Sequence, residues 1–134
     1  MENQPKPIIS QPKDGRSYKL GAQQNTEVIF KADGEEVANA YAITEWWMEA
    51  GGPGPAPHVH ETNNELIYVL QGPVSVLVDE TWETLEKGGL VIIPAGTTHT
   101  FKNDSDQRVG ILNIFLNAAY EAMMPQIMKM YADK

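Results

Sequence analysis

Between residues 17 and 116 the chain alternates short runs of β-forming residues with clusters of turn residues. Short strands at close and fairly even spacing, with turn signals between them, are typical of a β-sandwich or barrel. The sequence shows no internal repeat of about 20 to 50 residues, which a solenoid or a propeller would have. The sequence therefore predicts an all-β domain, with strands over residues 27–31, 39–49, 65–71, 74–78, 90–93, 97–101 and 108–116.

The two ends of the chain have different patterns. Residues 1–16 contain three prolines among polar residues, which resist both helix and central strand, so we predict an extended arm. Residues 117–134 carry apolar residues three and four apart, which predicts a C-terminal α-helix packed on the barrel. Asn117 is suited to the N-cap of that helix, whereas Pro125 either kinks it or begins a second one. The predicted divisions are an arm over 1–16, a barrel over 17–116 and a helix over 117–134.

Composition excludes several classes of protein. The chain has 18 acidic and 10 basic residues and a net charge of −8, so it repels phosphates and we expect no nucleic-acid partner. It has no cysteine, which excludes disulfides, thiolate catalysis and cysteine-based metal sites. Its apolar runs fall far short of the roughly 20 residues that span a membrane, so we expect no membrane partner. Its first residues lack a secretory signal pattern, so we expect a cytoplasmic protein.

The residues that can carry chemistry are concentrated in two short segments, which hold all three histidines. In the first segment His58 and His60 are two residues apart, so on a strand their side chains project to the same face. Glu65 follows a polar turn and begins the next apolar run, so a hairpin could bring its carboxylate back to the imidazoles. This segment reads Gly52, five residues, His58, Val59, His60, four residues, Glu65, six residues, Gly72.

The second segment places His99 on the inward face of a short strand after a tight turn. Three neutral imidazoles and one carboxylate suit a divalent first-row metal and leave one or two positions open for water or substrate. The alternative is that the histidines are ordinary core or surface residues and that the glycines only form turns. Ten residue identities at fixed spacing favour the metal site. The second segment reads Gly88, five residues, Pro94, Ala95, Gly96, two residues, His99, three residues, Asn103.

Together the two segments match both signature motifs of the cupin superfamily, so the chain resembles a single-domain cupin of the quercetinase-like type. The motifs cover residues 52–72 and 88–103, and the strand pattern extends the resemblance over about 100 residues. The resemblance implies a double-stranded β-helix, which is a jelly-roll barrel of antiparallel strands. It also implies one iron, manganese, nickel, cobalt or zinc ion per chain in the mouth of the barrel. The ligands would be His58, His60, Glu65 and His99.

The strand that begins at Glu65 predicts both a pocket and a partner surface. If Glu65 points into the barrel, the alternate residues point in with it and give the site an apolar pocket suited to an aromatic ligand. The opposite face of the strand is apolar too, so another layer of the chain or another subunit must cover it. Many cupins that resemble this chain are homodimers, and we predict a homodimer. The pocket residues are Ile67, Val69 and Phe101, and the outer residues are Leu66, Tyr68 and Leu70.

The resemblance implies a metal-dependent dioxygenase that acts on an enol or flavonol-like substrate. The metal would polarise a substrate oxygen, and Glu65 would release and accept the substrate proton. A second hypothesis is a barrel in which the metal orients a small ligand without turnover, because both classes occur among such cupins. Isomerisation of a sugar or sugar phosphate is less favoured, because only Lys87 and Lys102 lie near the motifs to receive a phosphate.

Overall fold

The structure is a computed structural model that describes residues 6–132, and within them it has nine β-strands and one short α-helix. Single turns of 3₁₀-helix span Gly34–Glu36 and Glu121–Met123. The other elements are β1 (Arg16–Leu20), β2 (Thr26–Ala32), β3 (Tyr41–Met48), β4 (Glu65–Gln71), β5 (Val74–Val78), β6 (Thr81–Leu85), β7 (Leu90–Ile93), β8 (His99–Lys102), β9 (Val109–Leu116) and α1 (Met124–Met130).

The strands form two antiparallel sheets that share one apolar core. The larger sheet has the order β1-β2-β3-β9-β4-β7, and the smaller has the order β6-β5-β8. Because β9 lies between β3 and β4, the connections cross between sheets as they do in a jelly roll. Inner-face side chains of both sheets, such as Trp46, Ile67 and Val76, belong to one buried cluster. The prediction of an all-β jelly-roll barrel with an added C-terminal helix is confirmed.

All seven predicted strands are present, with bounds within two residues of those expected. The sequence pattern does not predict β1 and β6, which lie at the edges of the two sheets. Most residues of β6 are exposed, and only one side of the strand is hydrogen-bonded within the smaller sheet. An edge strand of this kind lacks the alternation of apolar and polar residues by which a half-buried strand is recognised.

The prediction of a helix from residue 117 is wrong at its N-terminal end. Asn117 has a left-handed backbone, with φ at +63°, and its N–H donates to a backbone carbonyl just before β3, so it does not cap a helix. The helix α1 begins only at Met124, and Pro125 lies in its first turn, where a missing N–H costs little. Pro125 therefore begins a helix instead of kinking one. Met124 and Tyr131 are fully buried against the core.

The predicted arm is described only in part, because residues 1–5 lie outside the described residues, as do residues 133 and 134 at the other end. Residues 6–15 are exposed and form neither strand nor helix, whereas Arg16 already belongs to β1. Lys31 of β2 holds the end of this segment by donating to the backbone carbonyls of residues 11 and 14, at 3.0 and 2.8 Å. The division of the chain into arm, barrel and helix stays a prediction.

Helices in the described part of the chain are short. The longest, α1, has seven residues. None of the helices within residues 6–132 is long and apolar enough to cross a membrane. The cytoplasmic location predicted from the sequence stays a prediction.

The outer face of the larger sheet carries exposed apolar side chains. On β4 the inward residues are buried, whereas Tyr68 on the opposite face is 43% exposed. The neighbouring strand β7 adds Leu90 at 53% and Ile92 at 63% exposure. Tyr68 pairs with Leu90 across the two strands, so these side chains form a continuous apolar surface.

Candidate metal centre

Two strands and one crossing segment bring the four predicted ligands together. Glu65 is the first residue of β4 and His99 the first of β8, so each sheet contributes one side chain. His58 lies between β3 and β4 and exchanges two backbone hydrogen bonds with His99, at 3.0 and 2.9 Å. His60 follows two residues later, and its carbonyl accepts a hydrogen bond from the N–H of Gly96 at 2.8 Å.

A glycine allows this crossing segment to lie against β8. A Cβ atom on Gly54 would lie 1.5 Å from the carbonyl oxygen of Phe101, which no side chain can tolerate. The hydroxyl of Thr100 holds the same segment by donating to the carbonyl of Pro55. The segment therefore reaches β8, and His58 reaches His99, because residue 54 has no side chain.

The four side chains converge on one point. One donor atom from each of His58, His60, Glu65 and His99 lies within 4.8 Å of the others. Oε1 of Glu65 is 3.1 Å from Nε2 of His99 and 3.3 Å from Nε2 of His60. Ligands bound at about 2.1 Å and at right angles to one another are about 3 Å apart. These distances and this donor set fit a single divalent ion.

Hydrogen bonds to the backbone orient two of the three imidazoles. Nδ1 of His58 is 2.8 Å from the carbonyl oxygen of Ala56, and Nδ1 of His99 is 2.9 Å from that of Thr97. A carbonyl oxygen only accepts, so Nδ1 carries the proton in each ring and the neutral form presents a lone pair at Nε2. Such an acceptor behind the ring is usual for a metal-binding histidine.

A fifth polar side chain, which the two histidine motifs do not include, contacts the cluster. Nδ2 of Asn113 in β9 donates to Oε2 of Glu65 at 2.5 Å, and Asn113 is only 4% exposed. Asn113 shares the inner face of β9 with Val109, Ile111 and Phe115, all of them buried. An amide on an otherwise apolar inner face is the signal by which the sequence could have identified it.

Burial and hydrogen bonding act in opposite directions on the charged groups of the site. Burial alone would raise the pKa of Glu65, but hydrogen bonds from two histidines and from Asn113, with the charge of His99, lower it to about 2. Burial would lower the pKa of His99, but its contact with Glu65 outweighs burial and the pKa is raised. Burial lowers the pKa of His58. The metal-free site thus holds an ionised carboxylate beside imidazoles of unequal basicity.

The predicted pocket residues lie on the strands that carry Glu65 and His99. Ile67 and Val69 are fully buried and Phe101 is 3% exposed, and all three belong to the apolar core. Phe115, an aromatic residue outside the predicted pocket set, packs edge-on against the ring of His60 with the ring centroids 4.7 Å apart. The surroundings of the cluster are therefore apolar and partly aromatic, while contact of these residues with a substrate stays a prediction.

Comparison with known families adds to this geometry. The family model for the cupin domain matches residues 45–115, which include all four clustered side chains and more than half of the chain. The chain belongs to the cupin family. The resemblance carried by the two histidine motifs is therefore confirmed, and this cupin has its family's jelly-roll fold.

Individual relatives of this cupin differ in what they are reported to do. Quercetin 2,3-dioxygenase of Bacillus subtilis is 31% identical over 101 residues, which are 74% of this chain and 28% of that protein. A predicted oxalate decarboxylase from Thermotoga maritima aligns with a TM-score of 0.74 and 14% identity, over 82% of this chain and 99% of that one. An RmlC-like cupin from Shewanella frigidimarina aligns with a TM-score of 0.71 and 17% identity, over 90% and 98%. The two structures show the shared fold, and this cupin spans less than a third of the dioxygenase.

Proposed function

We propose that this cupin is a metal-dependent dioxygenase of the quercetinase-like type, acting on an enol, a flavonol-like compound or another apolar aromatic small molecule. The observation that carries the proposal is the cluster of three imidazoles and one carboxylate at the edge of a buried apolar core. The similarity to quercetin 2,3-dioxygenase over three quarters of the chain supports the same class of reaction.

In this proposal His58, His60, Glu65 and His99 hold one divalent first-row ion, which is iron, manganese, nickel, cobalt or zinc. Such an ion, when bound, polarises an enol oxygen of the substrate and lowers its pKa. The backbone hydrogen bonds at Nδ1 of His58 and His99 keep the two rings turned toward the site. Because the carboxylate of Glu65 has a pKa of about 2, it is ionised and ready to act as a ligand at neutral pH.

We also propose that Glu65 accepts the substrate proton. A carboxylate with so low a pKa is a weak base, so the transfer needs a substrate proton that has already been made acidic. Glu65→Gln keeps the shape and one oxygen but removes the charge, and we expect it to lower oxygen uptake by about 100-fold or more. Retention of both the metal and full turnover in this variant would eliminate the proton-accepting role.

The nature of the substrate follows from the surroundings of the site. The proposed contacts Ile67, Val69 and Phe101 are uncharged, apolar side chains of the buried core, next to the ligands along β4 and β8. The net charge of −8 disfavours a polyanionic substrate. An apolar aromatic compound with one enol or phenol oxygen matches both properties, since the oxygen would face the ligands and the ring the apolar walls.

The first experiment is to measure the metal content of the untagged protein by mass spectrometry, beside His99→Ala. We expect about one iron, manganese, nickel or cobalt ion per chain in the parent protein and its loss in the variant. The loaded protein is then tested for oxygen uptake with flavonols, catechols and β-diketones. Little metal after reconstitution would overturn the proposal, and zinc alone would favour a role without oxygen chemistry.

The second candidate function is a metal-dependent binding or sensing barrel without turnover. The relatives of this fold span different reactions, so the fold does not decide between catalysis and binding. Equilibrium binding of the compounds used in the oxygen-uptake assay separates the two, because binding without consumption favours the sensor.

A sugar or sugar-phosphate isomerase is the least favoured reaction class. A phosphate-binding site needs cationic side chains near the cluster. Lys102, the cation closest in sequence to His99, is partnered elsewhere, since it lies 4.2 Å above the ring of Trp82 and 3.5 Å from Asp104. Failure of the loaded protein to isomerise aldose and ketose phosphates would agree with this ranking.

We propose in addition that the protein is a homodimer that buries the outer face of β4 and β7. Three side chains there are each more than 40% exposed and carry no charge: Tyr68, Leu90 and Ile92. Two copies of this acidic chain can therefore meet at this surface without bringing like charges together. Ile92→Asp should convert the dimer to a monomer in light scattering. A parent protein that scatters as a monomer of 14.9 kDa at working concentration would refute the dimer.

A further inference from the structure

The hydrogen bonds of Glu65 divide its two carboxylate oxygens between different tasks. Oε1 faces Nε2 of His99 and of His60, at 3.1 and 3.3 Å. Oε2 instead accepts a hydrogen bond of 2.5 Å from the side-chain amide of Asn113. One oxygen therefore faces two of the histidines, while the other accepts a hydrogen bond from Asn113.

The position of Asn113 follows from the pairing of the central strands. In the larger sheet β9 lies between β3 and β4, and Asn113 is the partner of Ile67, two residues beyond Glu65 on β4. Residues diagonally opposite on the same face of an antiparallel pair are within reach of each other's side chains. The contact between Asn113 and Glu65 is thus made by two adjoining strands in the middle of a sheet, where neither backbone can move easily.

The amide is costly in this environment unless it has a definite partner. Asn113 is buried on a face whose other members, Ile111 and Phe115, are apolar. A buried amide without a hydrogen bond destabilises the folded protein, so an apolar residue of similar size would be the simpler choice for packing alone. The short bond to a charged acceptor gives this amide a partner and gives the acceptor a fixed orientation.

We propose that Asn113 is a positioning residue that holds Glu65 as a one-oxygen ligand, with Oε1 alone presented to the metal. Turning the carboxylate to bind through both oxygens would distort the hydrogen bond between Asn113 and Oε2, so the amide opposes that rotation. This restraint keeps one more coordination position available to substrate or water, which is the property that distinguishes a reactive site from a closed one. The inference rests on the proposed metal site and adds to it a residue outside the two cupin motifs.

The experiment measures the affinity of the metal-free protein for Co²⁺ by titration calorimetry and records the visible absorption spectrum of the Co²⁺ form. Asn113→Leu removes the donor while keeping the volume of the side chain. We expect it to weaken Co²⁺ binding by about 10- to 100-fold, as loss of a hydrogen bond behind a ligand does, and to change the spectrum because the carboxylate is freed to use both oxygens. If this variant does not fold, Asn113→Ser offers the same comparison, since its shorter side chain cannot reach Glu65.

The matched control is Thr44→Val. Thr44 is the partner of Asn113 across β3 and β9, is fully buried on the same inner face, and bonds to Tyr120 and Trp46 instead of Glu65. We expect this variant to keep the Co²⁺ affinity within about twofold and the spectrum unchanged, because it removes a buried polar group without touching the carboxylate.

The possible outcomes separate this inference from the proposed function. An unchanged affinity and spectrum in the Asn113 variant, or an equal loss in Thr44→Val, would overturn the positioning role while leaving the metal site intact. A parent protein that does not bind Co²⁺ would overturn the metal site itself and this inference with it. A parent protein that binds Co²⁺ but consumes no oxygen in any loaded form would remove the dioxygenase proposal and leave Asn113 in its role.

Discussion

The candidate metal centre has two halves that differ in how the chain holds them. The strand half consists of Glu65 and His99, which begin β4 and β8 and are almost fully buried. The loop half consists of His58 and His60, which lie outside regular strands and are partly exposed. The strand half is fixed by sheets that form the core, so it depends on the same interactions as the fold.

The loop half depends on fewer contacts. Its position comes from the two-bond bridge between His58 and His99, the hydrogen bond from Gly96 to the carbonyl of His60, and the close approach of Gly54 to β8. These contacts are backbone hydrogen bonds and one close approach by a glycine, and a segment held in this way opens more easily than a core strand. We therefore expect changes in the strand half to affect both stability and metal binding, and changes in His60 to affect metal binding alone.

The largest effect on stability is expected from His99→Ala. The variant removes the imidazole that faces Oε1 of Glu65 and leaves a buried carboxylate with a weakened set of partners. Removing a fully buried side chain and leaving a buried carboxylate short of a hydrogen-bond partner together cost about 3 kcal/mol. Urea unfolding of the metal-free variant should show this loss, and titration with Co²⁺ should show an affinity reduced by more than about 100-fold. A variant as stable as the parent would show that the two halves do not differ as proposed.

Gly54→Ala should have the next largest effect. The added Cβ would lie 1.5 Å from the carbonyl oxygen of Phe101, so the crossing segment must move away from β8. Overpacking of this kind costs about 2 kcal/mol, and the displaced segment should carry His58 away from His99. We expect weaker Co²⁺ binding and a lower free energy of unfolding with unchanged far-ultraviolet circular dichroism. Gly51→Ala is the control for a Cβ added without a clash, because a Cβ there meets nothing within 4 Å. Its positive φ of 69° adds some backbone strain.

The sequence identifies the four ligand candidates because they lie in two short motifs, residues 52–72 and 88–103, that match those of the cupin superfamily. His58 and His60 are two residues apart, and Glu65 and His99 each begin a strand that the apolar pattern reveals. The sequence does not predict the role of Asn113, because its contact with Glu65 spans 48 residues and follows only from the pairing register of β9 with β4. Its polar character on an apolar face is visible in the sequence, but the partner that explains it is not.

The C-terminal segment shows a tertiary contact that overrides a local pattern. The apolar spacing after Asn117 predicts helix from that residue onward, yet the ring of Tyr120 packs against Phe30 and Phe115, with centroids 5.0 and 5.3 Å away. Asp33 accepts hydrogen bonds from the backbone N–H groups of residues 120 and 121, at 2.9 and 3.1 Å. These long-range contacts keep residues 117–120 out of the helix, so that only a 3₁₀ turn at Glu121–Met123 precedes α1, and no local propensity could have indicated them.

Acid should lower the free energy of unfolding through the strand half, by less than the two substitutions above. The pKa of Glu65 is about 2 in the folded metal-free protein against an ordinary value of 4.5, so the unfolded chain takes up the proton first as pH falls. The stabilisation is therefore complete above pH 4.5 and is lost as pH falls toward 2, by an amount on the order of 1 kcal/mol between pH 5 and pH 3. Urea unfolding across this range should show a shallower fall in Glu65→Gln than in the parent protein. If the free energy of unfolding fell equally with pH in both proteins, the loss could not be due to Glu65, since the other carboxylates are common to both.

The smallest effect on stability, and the sharpest test of the comparison, is expected from His60→Ala. The side chain of His60 is 30% exposed, and its ring contacts Phe115 and faces Oε1 of Glu65 at the longer distance of 3.3 Å. Its loss leaves Glu65 with both His99 and Asn113, so the free energy of unfolding of the metal-free protein should change by less than about 1 kcal/mol. Co²⁺ affinity should still fall by at least about 10-fold, because a nitrogen ligand is lost. Stability and affinity should thus separate in His60→Ala and fall together in His99→Ala. If both variants lose stability equally, the loop half is as much a part of the folded core as the strand half.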